Sequence, residues 1–270
     1  MKVGFIGGGN MASAIIGGLL ARGFTAAQFH VVEVSPERRQ ELASRFAVTT
    51  AAESDARLSS CDALLLATKP QQMHAAASNL KAHLHEQLVI SIAAGIRLAD
   101  LGRWLGGYDK LVRAMPNTPA LLHAGITGLA ASAGVTPPGR ELTDTLMGAV
   151  GETIWFDNES MLDAVTAVSG SGPAYVFYFI EALAQAGEEL GMTRDEARKL
   201  ALHTFLGAAR LAADSDEAPA TLRAKVTSKG GTTERAIAAM EAAALKSHFI
   251  AAVKAAADRS RELGEEFGKN

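Results

Sequence analysis

Hydrophobic positions divide the chain into two stretches of different period. Up to about residue 157, short apolar runs at 3–6, 29–34, 62–67, 87–92, 110–115, 126–131 and 152–156 alternate with segments of helical character. Continuous apolar runs of this length read as buried strands, and strict alternation with helices predicts a largely parallel, doubly wound sheet. Beyond Asp157 the strand signal stops, and alanine-rich segments with a period of 3.6 follow. Pro173 opens a helix through Leu190 that Gly191 ends, and Thr193-Arg194-Asp195-Glu196 is a capping box for the next, which runs to about Ala213. Pro219 begins a short helix, and Thr232 or Thr233 caps another after Gly230-Gly231. The expected division is an α/β domain over residues 1–158 and an all-α domain over 159–270.

The first apolar stretch invites a different reading. Val3 to Ala21 carries no charge after Lys2, and Ala12-Ser13-Ala14 imitates a signal-peptide cleavage site. Gly7-Gly8-Gly9-Asn10 interrupts the run, however, and leaves too few apolar residues for a leader or a membrane span. The stretch parses better as a strand at 3–6, a turn, and a helix through Arg22. That is G-x-G-x-x-A in strand-turn-helix context. Gly7 permits the tight turn, Gly9 lets the backbone approach a pyrophosphate, and Ala12 allows close packing of helix on strand. The helix start then offers free N–H groups and a favourable dipole to phosphates. Glu33, at the end of the second strand and 21 residues after Ala12, stands where a ribose-binding acid is expected. Ile6, Gly7, Gly8, Gly9, Asn10 and Met11 are therefore candidate dinucleotide contacts in an N-terminal Rossmann-type domain.

Composition narrows the function. The 26 Lys and Arg against 29 Asp and Glu leave a net charge of −3, which argues against nucleic acid or an anionic membrane as partner and for a small molecule. The single cysteine, Cys61, excludes an intramolecular disulfide framework and suits a reducing, cytoplasmic setting. Placed just before a strand, it reads as packing. His83-Leu84-His85-Glu86 lacks a second ligand cluster, so no metal is expected. Tyr175, Phe177 and Phe179 read as core or subunit contact. Three loops at strand ends are rich in small residues and proline: Ala67-Thr68-Lys69-Pro70, Ala93-Ala94-Gly95, and Met115-Pro116-Asn117-Thr118-Pro119. Ligands in such sheets lie beyond the strands' carboxyl ends, so these loops are candidates for the rest of the cofactor site. In the helical half, 168–173 and 226–233 are hydroxyl- and glycine-dense loops, each feeding a helix start that suits a carboxylate or phosphate.

Phe5 to Ala12, Lys69-Pro70, Ala93-Ala94-Gly95, Arg113 to Pro119, Ser169 to Tyr175, and Val226 to Thr233 with Ala236-Ile237 together resemble Δ1-pyrroline-5-carboxylate reductases, in the same order and over almost the whole chain. The resemblance implies NAD(P)H-dependent reduction of a cyclic imine to L-proline, and a dimer built by the helical domain, with larger assembly open. It implies cofactor contacts at Ala67, Thr68, Lys69, Pro70, Ala93, Ala94, Gly95 and Asn117, and substrate contacts at Met115, Pro116, Ser228, Gly230, Gly231, Thr232 and Thr233. Thr233 is the hydroxyl assigned to the reacting end, as carboxylate ligand or proton donor. Ser35 resembles the family's phosphate-contacting position and, with Arg38 and Arg39, pulls towards NADP(H). Glu33 pulls towards NAD(H), so use of both is expected. Two other readings stay open. A β-hydroxyacid dehydrogenase would need a general-base lysine on the first long helix, and 169–190 contains none. The other is a cofactor-sensing regulatory protein that binds NADP(H) without turnover.

Overall fold

A computed structural model describes residues 1–269. They form two compact units, residues 1–171 with 255–269, and Gly172–Lys254. Division by patterning at 158/159 and division by packing thus differ in two places. The helical segment 159–171 packs with the sheet, and so does the end of the final helix.

In the first unit, β1 (Val3–Ile6), α1 (Asn10–Ala21), β2 (Phe29–Val32), α2 (Pro36–Phe46), β3 (Thr49–Ala51), β4 (Ala63–Leu66), α3 (Pro70–Leu80), β5 (Leu88–Ser91), α4 (Leu98–Trp104) and β6 (Leu111–Met115) alternate along the chain. β7 (Gly125–Ala131), α5 (Pro137–Met147), β8 (Gly151–Trp155) and α6 (Met161–Val165) complete it. The strands lie in the order β3-β2-β1-β4-β5-β6-β7-β8. Pairing is parallel up to β6, β7 runs antiparallel to β6, and β8 runs parallel to β7. Every residue of β1, β2, β4 and β5 is buried, as expected for parallel strands covered on both faces. On one face Phe5, Val31 and Leu65 pack with Ile15, Ile16 and Leu19 of α1; on the other Ile6, Leu64 and Leu66 pack with Met73 and Leu80 of α3 and Trp104 of α4. Each such fully buried Leu, Ile or Phe contributes about 1.5–3 kcal/mol. Strand β3 escapes the pattern because it is three polar or small residues, Thr49-Thr50-Ala51, on the sheet edge.

The second unit holds α7 (Gly172–Glu189), α8 (Arg194–Ala213), α9 (Pro219–Lys225) and α10 (Thr232–Ala242), and the first part of α11 (Leu245–Gly268). The capping box at Thr193 forms as read, with Thr193 N–H donating to Glu196 Oε2 at 2.9 Å. Two expectations need correction. Gly231, not a threonine, is the N-cap of α10, so Thr232 and Thr233 stand in its first turn. And residues 168–171 are not an open loop. Thr166–Gly170 form a π-helical turn between α6 and α7, closed by Ser171 N–H to Thr166 O at 2.8 Å. Between Gly172 and Lys254 only Gly187, Ala197 and Ala201 are buried. No single described helix is long and apolar enough to cross a membrane.

Candidate active site

The strand order reverses between β2-β1 and β4-β5, so the crevice beyond the carboxyl ends of β1 and β4 is where a ligand of this fold sits. The glycine turn and the Ala67–Pro70 loop meet there. Gly7 has φ +98°, and a Cβ on it would lie 2.7 Å from the carbonyl oxygen of Ala67, so both backbone shape and close approach demand glycine. Gly8 is buried against Leu42. Gly9 is exposed, a Cβ there would meet nothing within 4 Å, and it caps α1 without a side-chain bond. The first N–H groups of α1 thus start from open, uncharged backbone, which fits a pyrophosphate. Asn10 is exposed and Met11 half-buried against the core. Across the crevice Lys69 is exposed, Thr68 and Ala67 are half-buried, and Pro70 starts α3 at its first turn.

Glu33 does something that spacing alone does not reveal. Its Oε2 accepts the Gly8 N–H at 2.8 Å and its Oε1 the Ser35 N–H at 2.9 Å. The carboxylate therefore ties the glycine turn to the end of β2. Ser35 caps α2, accepting from Arg38 N–H at 3.1 Å and donating to Glu37 at 2.7 Å, which holds the Glu37 carboxyl below the usual range. Arg38 Nε donates to Gly8 O at 2.8 Å, a second brace on the same turn, and its guanidinium also reaches Asn10, Ser13 and Glu41. Arg39 is anchored on the carbonyl oxygens of Glu33 and Val34 at 2.7 and 3.0 Å.

The other strand-end loops are fastened from within. Asn117 donates to Ser169 O at 3.2 Å and accepts from Ile126 N–H at 3.0 Å, while Met115 Cε lies 2.7 Å from where a Gly170 Cβ would be. The proline-rich turn after β6 and the π-turn before α7 are thus one packed feature, with Pro116 buried inside it. Ala93 and Gly95 are buried and Ala94 is half-buried. In the second unit, Gly230 has φ +74° and donates its N–H to Glu234 Oε2 at 2.6 Å; Ser228, Lys229, Gly230 and Thr232 are exposed, and Gly231 and Thr233 half-buried. The first-turn N–H groups of α10 have no intrahelical acceptor and suit an anion.

Sequence reading missed a buried polar network. Arg113, 3% exposed on β6, lies 3.1 Å from Glu159 and 3.8 Å from Asp163, and Asp163 accepts from Ser260 of α11 at 2.7 Å. An arginine inside an apolar strand was the available signal, since a buried guanidinium needs acceptors. Cys61 is buried, and that burial pushes its thiol up to about 11, in line with a packing role.

A doubly wound sheet with an uncapped glycine turn at its switch point, followed by a helical unit with hardly any interior, defines a dinucleotide-binding oxidoreductase that needs a partner surface. Residues 159–263 match the family profile described as pyrroline-5-carboxylate reductase dimerisation, and residues 2–95 one described as NADP oxidoreductase, coenzyme F420-dependent. A pyrroline-5-carboxylate reductase from Pseudomonas aeruginosa is 45% identical over 99% of this chain and 98% of its own. A structure of the enzyme from Coxiella burnetii superposes with a TM-score of 0.91 at 41% identity, covering 97% of this chain and 98% of that one. The Plasmodium falciparum enzyme with NADP bound superposes with a TM-score of 0.86 at 28% identity, covering 98% of each. The chain belongs to the pyrroline-5-carboxylate reductase family.

Proposed function

We propose that the chain reduces the ring imine of 1-pyrroline-5-carboxylate to L-proline with NADPH, accepting NADH as well, and that two copies pair through the helical unit. The observation that carries the reading is the glycine turn: open at Gly9, held by Glu33 and Arg38, and placed at the reversal of strand order. NADP bound to the Plasmodium relative supports the same choice of cofactor. Arg39, which meets carbonyl oxygens, is the cation set to receive a 2′-phosphate.

When bound, the reduced nicotinamide supplies the hydride that the imine carbon accepts. The chain's own task is to place two flat rings face to face and exclude water. The α10 start, from Ser228 to Thr233, would hold the substrate carboxylate through backbone N–H groups. A substrate that arrives as the iminium brings its proton with it, so no carboxylic general acid is required. Thr233 then orients the ring by hydrogen bonding. Pairing is supported by the near absence of buried residues in the second unit and by exposed apolar side chains on its helices, Phe177 at 65%, Leu211 at 59% and Leu200 at 56%. One buried cysteine suits the reducing cytoplasm.

The test is NADPH oxidation by the purified chain with 1-pyrroline-5-carboxylate, set beside oxidation of a β-hydroxyacid. Imine-dependent turnover is expected. Cofactor binding without it refutes the proposal, and a preference of about a thousandfold for either nucleotide in kcat/KM refutes dual use.

A further inference from the structure

The end of α11 is fastened to the turn that follows β5. A Cβ on Gly95, whose φ is +75°, would lie 3.1 Å from Phe267 Cδ2 and 3.5 Å from Leu263 Cβ. Phe267 also packs against the apolar cluster that contains Ile96, Leu101 and Trp104. One turn earlier, Gly264 is buried and close to the Arg97 side chain, since a Cβ there would meet Arg97 Nε at 3.0 Å, and Arg97 donates to the Arg261 carbonyl at 3.3 Å. The turn's other end is held as well. Glu159 Oε1 accepts both the Leu98 N–H at 2.8 Å and Arg113 at 3.1 Å, and Arg113 leads through Asp163 to Ser260.

The small residues of 93–95 suggest room for a cofactor. At Gly95 the room is taken by Phe267. Ala93, Ala94 and Gly95 have almost no side chain with which to lock themselves, and glycine at positive φ has the largest backbone freedom to lose, so the shape of this turn must be imposed from outside. None of Phe267, Ser260 or Glu159 stands at the glycine turn or the α10 start, so their action on the reaction is indirect.

We propose that the last turns of α11 are a positioning element for residues 93–97, with Phe267 and Ser260 holding that turn in the shape that receives the cofactor. The inference rests on the reading of 93–95 as a cofactor contact. A chain whose turn samples other shapes binds more weakly in proportion to the fraction that remains competent.

Phe267→Ala, Phe267→Leu and Ser260→Ala test this in the full chain, alongside Leu146→Ala, a core truncation in α5 away from the turn. Dissociation constants for NADPH, KM for both substrates, kcat and Tm are measured for each. Phe267→Ala is expected to raise the NADPH dissociation constant and KM about tenfold, Phe267→Leu to recover most of that, and Ser260→Ala to raise them about threefold, with the imine KM within about twofold of wild type. Leu146→Ala is expected to lower Tm and leave NADPH binding alone. Phe267 and Ser260 variants that match Leu146→Ala, with lower Tm and unchanged NADPH affinity, overturn the inference while leaving the proposed function standing. A wild-type chain that binds no dinucleotide overturns both.

Discussion

Replacing Glu33 with glutamine separates two roles that the same residue could play, because they predict opposite signs. As a charge near the adenosine ribose, Glu33 would repel a 2′-phosphate, and Glu33→Gln would tighten NADPH. As a brace, it holds Gly8 and Ser35 through two N–H···O bonds of 2.8 and 2.9 Å, and the variant would loosen the turn. Hydrogen bonds to a charged group are worth about 1.5–3 kcal/mol each, and glutamine keeps one acceptor oxygen while presenting an NH2 group to the other N–H. The loss is therefore about one charged bond plus the weakening of the second, roughly 2–3 kcal/mol. Relief of repulsion between solvent-screened charges returns at most about 1 kcal/mol. The brace wins by about 1–2 kcal/mol, which is roughly tenfold in affinity. NADPH should bind about tenfold more weakly, and NADH, which gains nothing from the lost charge, should lose the full 2–3 kcal/mol, about 30- to 150-fold. Titration of each nucleotide by fluorescence at fixed ionic strength measures this, with Tm recorded in parallel. Tighter NADPH binding with NADH unchanged would refute the bracing argument.

Thr233→Ala should lower kcat/KM for the imine about 10- to 100-fold, the worth of one hydrogen bond to a charged group, with NADPH affinity nearly unchanged; equal loss of both would place the residue elsewhere. Arg113→Met leaves Glu159 and Asp163 without their cation and should destabilise the fold by about 3 kcal/mol, read from the midpoint of urea unfolding; a loss below about 1 kcal/mol would show that solvent satisfies the carboxylates. His30 is buried on β2 with Nδ1 3.0 Å from Thr49 Oγ1 and Nε2 3.2 Å from Asp55, and burial lowers its pKa from 6.5 despite the pull of Asp55. A histidine that is harder to protonate folded than unfolded stabilises the fold fully above about pH 6.5 and progressively less below it. His30→Gln should therefore flatten the fall in unfolding free energy between about pH 6.5 and pH 5 in urea melts, and an unchanged slope would assign that fall to other groups.

Parallel strands with both faces covered are the easiest elements to read, because they are apolar apart from single residues such as His30 and Arg113, and β1, β2, β4, β5 and β6 lie where their apolar runs end within one or two residues. Helix starts with a chemical mark were legible too, as at Thr193 and Pro219. What escaped has common physical causes. Strand β3 carries no periodicity because an edge of three residues needs none. The π-turn at Thr166–Gly170 looks like a loop, since serine and glycine favour loops, while the contacts that support the wider helix include remote ones, Met115 close to Gly170 and the Asn117 bond to Ser169.

Within the candidate site, glycine positions were legible and glycine reasons were not. Gly7 and Gly9 stand as their motif requires, one under strain and close approach, the other open to a ligand. Gly95 reads the same way on paper, yet its neighbour is Phe267, a residue at the far end of the chain that no local pattern connects to it. Glu33 shows the converse. Its spacing from the glycine turn was legible and pointed to a ribose, whereas its two acceptor bonds hold the turn itself. Local spacing reports where backbone must bend or approach something; what it approaches is decided by contacts made across the whole chain. A candidate cofactor site made of so much backbone would therefore draw on side chains distant in sequence, Glu33, Arg38, Glu159 and Phe267, for the rigidity that its own residues are too small to supply.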